Sequence, residues 1–141
     1  MPLYLLHPAF VHFPLAFLIL GLGADAAAAL RASAGLRRAG GVLLWLGTGS
    51  LWIAVGLGLL AERTAPHVPS AWEVLAEHRT LAFVTAGVFS AQAILRAVLR
   101  HPRAAWLQAV LWLAGAALLA ATAYHGGELV YRHGMGVTAG H

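Results

Sequence analysis

Two histidines and two prolines crowd the start of the first apolar stretch, His7-Pro8-Ala9-Phe10-Val11-His12-Phe13-Pro14. Six further histidines follow, at positions 67, 78, 101, 125, 133 and 141. Neutral imidazole is the commonest protein ligand for metals. An ionisable side chain inside a membrane span is costly enough to be a functional candidate by default. With no cysteine in the chain, thiolate zinc sites, iron–sulfur clusters and covalent haem attachment are excluded, and a metal would have to use histidine, carboxylate or methionine. Coordination is therefore the chemistry these residues suggest: haem b between two axial histidines, or a copper, zinc or iron ion held by three or four. No Ser/His/Asp or Cys/His arrangement points to a covalent nucleophile, so whether the chain is an enzyme stays open.

The elements that must position these residues are membrane spans. Of 141 residues 60% are hydrophobic and only 10% charged, against about a quarter charged in soluble domains. Four apolar segments run over residues 8–30, 40–61, 80–99 and 104–124, each near the roughly 20 residues that cross hydrocarbon. The expected fold is all-α, a single four-span domain over 1–141 made of two antiparallel helical hairpins. The start of the chain lacks the basic region and cleavage site of a signal peptide, so the first segment reads as a retained span. All nine basic residues are arginine, and they fall between apolar runs rather than in stripes with interleaved aromatics. The net charge of +4 is thus no nucleic-acid footprint. Arg31, Arg37, Arg38, Arg96, Arg100 and Arg103 flank the two hairpin turns, which the positive-inside rule places in the cytoplasm. Both termini then lie on the outer, periplasmic side of a bacterial inner membrane.

Local signals refine this. Pro8 and Pro14 are compatible with the first turns of a helix, and if that helix starts as early as Pro8, Pro14 removes a backbone donor and kinks it near His12. Ser70-Ala71-Trp72-Glu73 is a capping-box pattern that would start the third helix near Ala71. The fourth helix should overrun through Glu128 and Arg132 to stop at Gly134. Trp45, Gly49, Trp52 and Gly56 share one face of the second helix, fit for packing or for seating a flat cofactor. That face leaves a homo-oligomer open. His78, Thr85 and Gln92 form a polar stripe on the third helix, and Gln108, Gly115 and Thr122 form one on the fourth. Asp25 should pair with an arginine such as Arg96. No internal repeat beyond the two hairpins stands out.

Seven of the eight histidines fall on the outer side. If the second hairpin turns near residues 101–102, His78 and His125 are level. His12 then lies about one turn deeper than His78, opposite Gly56 and Gly58, with His7 about one turn shallower. This depth count makes His12 and His78 the leading ligands, His7 a shallower one, and His125 the fourth-helix partner. Arg79 and Arg132 could meet haem propionates.

His7-Pro8-x-x-Val11-His12-Phe13-Pro14 together with Gly126-Gly127-Glu128-Leu129-Val130-Tyr131-Arg132-His133-Gly134-Met135-Gly136-Val137 resembles the bacterial domain of unknown function 2231 family. The resemblance implies small membrane proteins, some joined to Rieske-type or c-type cytochrome domains, and hence a redox setting. By position it picks out His7, His12, His78 and His133, with His125 then in reserve. The leading expectation is a membrane b-type cytochrome that exchanges electrons with a periplasmic Rieske or cytochrome c protein, or with a quinone. A histidine-rich non-haem metal protein and a structural or assembly subunit of a respiratory complex are the alternatives.

Overall fold

The computed structural model describes residues 2–99 and 105–136, and all regular structure among them is helical. The first span opens with a 3-10 turn, Leu3–Leu5, and continues as α1 (Leu6–Phe10) and α2 (His12–Arg31). Helix α3 covers Ala34–Thr64, α4 Trp72–Val98 and α5 Ala105–Tyr131. Each of the four spans is long and apolar enough to cross a bilayer. Ile19, Leu20, Ile94 and Leu113 point outward, which hydrocarbon tolerates and water does not. The core between the helices is built from Leu18, Leu44, Leu51, Val55, Ala86, Phe89, Ala93, Trp112 and Leu119. We call the end that carries both termini the terminal end, and the opposite one the hairpin end.

The break between α1 and α2 falls at Val11. Pro14 has no N–H for the Phe10 carbonyl, and the next bond, from Leu15 N–H to Val11 O, is stretched to 3.4 Å. Helix α2 ends at Ala32, whose φ of 48° is left-handed, and Ser33 at once caps α3, its Oγ accepting from Leu36 N–H. That early cap carries the second helix well past the expected 40–61 at both ends. The capping box expected at Ser70 does not form. Pro69 opens a 3-10 turn through Ala71, and Ala71 becomes the N-cap of α4 without a side-chain bond. At the other terminus Gly134, at φ +64°, turns the chain. Gly134 N–H bonds Val130 O and Met135 N–H bonds Leu129 O, so the glycine stop expected there is present.

The two hairpins are built alike, down to residue spacing. His7 and His78, Leu18 and Phe89, and Asp25 and Arg96 are each 71 residues apart (78 − 7, 89 − 18, 96 − 25). On the returning helices Gly47 and Gly115, Ala54 and Thr122, and Gly58 and Gly126 are each 68 apart (115 − 47, 122 − 54, 126 − 58). Equivalent positions do equivalent jobs. Leu18 packs onto Gly47 so closely that a Cβ there would lie 2.5 Å from its Cδ2. Phe89 fills the matching place on Gly115, 2.7 Å from the same hypothetical atom. The hairpins are thus an internal repeat that composition alone does not reveal.

Candidate functional site: a paired-histidine centre

His7 projects from α1 toward α3, and its Nδ1 lies 2.9 Å from the Ala54 carbonyl. His78 projects from α4 toward α5, with its Nδ1 2.9 Å from the Thr122 carbonyl. A carbonyl only accepts, so Nδ1 must carry the proton in both rings, and in the neutral ring Nε2 keeps its lone pair. Each accepting carbonyl sits inside a helix and gives its second lone pair to the imidazole. One turn further on, a glycine makes room for the ring. A Cβ on Gly58 would lie 3.2 Å from His7 Cε1, and one on Gly126 3.1 Å from His78 Cε1.

The two rings face each other across the hairpins, with centroids 6.1 Å apart and planes at 79°. Each hairpin therefore supplies one imidazole, one carbonyl that fixes its tautomer, and one glycine that admits it. Below the pair the hydroxyls of Thr85 and Thr122 meet at 2.9 Å, so the expected stripes on the third and fourth helices do face each other. Metal-bound histidines commonly donate their other ring N–H to a carbonyl or carboxylate, which orients the ring and raises its basicity. Both rings carry that arrangement.

The other residues singled out by sequence lie elsewhere. His12 heads α2 on an exposed surface, its Nδ1 only 3.4 Å from Ala9 O. Five residues advance a helix by about 140° beyond a full turn, so His7 and His12 face different ways, and it is His7 that meets Gly58. His125 bonds Ala121 O on its own helix at 2.9 Å and approaches Glu77 at 3.2 Å through Nε2. Helix α5 runs on through Gly126 and Gly127, leaving His133 beyond its end, 3.5 Å from Ser70 Oγ. Arg79 is held by Glu62 at 2.9 Å and Arg132 by Glu128 at 2.6 Å. His67 packs edge-on against Trp72, and His101 and His141 lie outside the described residues. Among the described residues no three His, Asp or Glu side chains gather with metal-site spacing. The sequence reading set Gly58 opposite His12 rather than His7, and it missed the two carbonyls and the fit of Gly126 to His78; the constant 71- and 68-residue offsets are the signal that finds them.

A second constellation closes the hairpin end. Arg96 grips Asp25 with both terminal nitrogens, and Nη2 also donates to Arg37 O at 2.5 Å. Trp112 Nε1 donates to Asp25 Oδ2 at 2.7 Å. The carboxylate fits because residue 40 is glycine, and any Cβ there would overlap it. The pairing of Asp25 with Arg96 expected from sequence is present, and it ties α2, α3, α4 and α5 together.

Four spans, an internal hairpin repeat and a histidine pair at one end define a small multi-pass membrane protein. A family model described as predicted membrane protein DUF2231 matches residues 4–139, and the chain belongs to that family. Neither curated proteins nor solved structures yield a match.

Proposed function

We propose that this protein is a membrane b-type cytochrome in which His7 and His78 would hold the haem. What supports this is the pair itself: two imidazoles from equivalent positions, each with Nδ1 tied to a carbonyl and Nε2 left as a donor. A metal–imidazole bond is about 2 Å long, so two such bonds fit within the 6.1 Å between ring centres. A haem needs only two protein ligands, whereas a bare zinc ion takes three or four. With two histidines facing and no third His, Asp or Glu joining them among the described residues, the haem reading is favoured over the ion. Bound haem would supply reversible one-electron transfer. The chain's own residues hold the imidazole tautomers, and the glycines leave the rings unobstructed.

A cavity of about 560 Å³ opens at the terminal end, lined by Leu59, Glu62, Trp72 and Arg79 among others but by neither histidine of the pair. A quinone or a periplasmic redox protein would approach from this end. Arg79 would exchange Glu62 for a propionate there. The test is a visible spectrum of the purified protein, oxidised and reduced. A Soret band and a reduced α-band are expected, lost in His7→Ala and His78→Ala and kept in His12→Ala. Absence of both bands after haem reconstitution overturns the proposal. A stoichiometric copper, zinc or iron ion lost in the same two variants would replace it with the ion reading.

A further inference from the structure

We infer that the hairpin end carries a binding site for an anionic phospholipid, independent of the histidine pair. An open cavity of about 670 Å³ runs along α3 from Ser33 and Arg37 to Trp45, with Arg38, Val42 and Arg96 in its walls. Its upper rim is basic. Four of the five carboxylates in the chain, Glu62, Glu73, Glu77 and Glu128, belong to the terminal halves of their spans, and the fifth, Asp25, is taken by Arg96. Arg37 and Arg38 thus form no ion pair among the described residues. The first turn of α3 opens into the same cavity, and the unbonded N–H groups of a long helix's start favour an anion.

The lower part of the cavity has the opposite character. Val42 and Trp45 are more than half exposed, one to two turns along the helix from the arginines. From Arg37 to Trp45 is eight residues, about 12 Å of helix. A site that is cationic at one end and apolar over the next roughly 12 Å matches an amphiphile: phosphate at the arginines, glycerol and acyl chains along Val42 and Trp45. Free phosphate would use only the rim. Basic pockets between spans are a recognised mode of headgroup binding.

Native mass spectrometry of the full chain released from detergent micelles, with phosphatidylglycerol or phosphatidylcholine of identical acyl chains, tests this. The wild type should retain phosphatidylglycerol in preference. R37Q/R38Q should bind it about 30-fold more weakly, the effect of two lost basic side chains at a membrane surface. R37K/R38K should keep most of the binding, which separates lost charge from lost fold, and Arg63→Gln at the terminal end should behave as wild type. Equal retention of the two lipids, or unchanged phosphatidylglycerol binding in R37Q/R38Q, overturns the inference. So does displacement of the lipid by excess inorganic phosphate, which would assign the rim to the free ion.

Discussion

The two ends of this bundle solve opposite problems with the same repeat. At the hairpin end the equivalent residues Asp25 and Arg96 meet, and the carboxylate and guanidinium are surrounded by partners: each other, Trp112 Nε1 and the Arg37 carbonyl. At the terminal end the equivalent residues His7 and His78 meet, and each is satisfied on one nitrogen only. A closed network locks four helices; in the histidine pair the second ring nitrogen has no hydrogen-bond partner among the described residues. The contrast teaches that burial alone does not mark a site in a membrane protein. What separates the two ends is that the charges at one are fully partnered, whereas each imidazole at the other is bonded through Nδ1 alone.

The sharpest way to break this contrast is to remove one member from each end. Asp25→Ala strands the Arg96 guanidinium and should cost about 3–5 kcal/mol, as for other broken buried pairs, read by thermal unfolding in detergent. Adding Arg96→Met should restore most of that loss. His7→Ala and His78→Ala should each cost only about 1 kcal/mol of stability, the worth of one hydrogen bond, yet abolish the Soret band. A hairpin-end variant that kept its fold but lost the band, or a histidine variant as unstable as Asp25→Ala, would erase the distinction. Gly126→Ala comes next. Its Cβ would press on His78 at 3.1 Å, and the expected overpacking cost of about 1–3 kcal/mol should come with a shifted or broadened Soret band, while Gly23→Ala, where nothing lies within 4 Å, leaves the spectrum alone. The smallest effect is expected midway between the ends. Gln92 is fully buried and its amide finds no partner among the described residues, so Gln92→Leu should raise stability by about 1 kcal/mol.

Much of the fold was legible because membrane spans announce themselves by composition. Pro14, Gly134 and the Asp25–Arg96 pair were legible because missing donors, left-handed turns and buried charges have few solutions. The choice between His7 and His12 was not. In a soluble helix the polar face shows which way is out, but here lipid and core are equally apolar, so depth could be counted from the sequence while facing could not. Depth favoured His12, whereas it is His7 that stands against Gly58 and His78. Ser70 misled for a different reason, since Pro69 imposes a 3-10 turn before a capping box can form. What the fourth helix places against His78 was hidden because it is not a histidine. Thr122 contributes a carbonyl and Gly126 an absence of side chain, and neither reads as chemistry.

The matched spacing of the hairpins bears on how such a chain could have arisen and why it stays in one piece. Each hairpin holds half of everything, so two copies of one hairpin would bring His7 against His7 and lose nothing at that end. The same doubling would bring Asp25 against Asp25, or Arg96 against Arg96, and like charges at that distance repel. Fusion of two halves into one gene lets corresponding positions diverge into opposite charges while the histidines stay alike. Symmetry is then kept where two like residues can face each other and lost where a lock needs opposite charges.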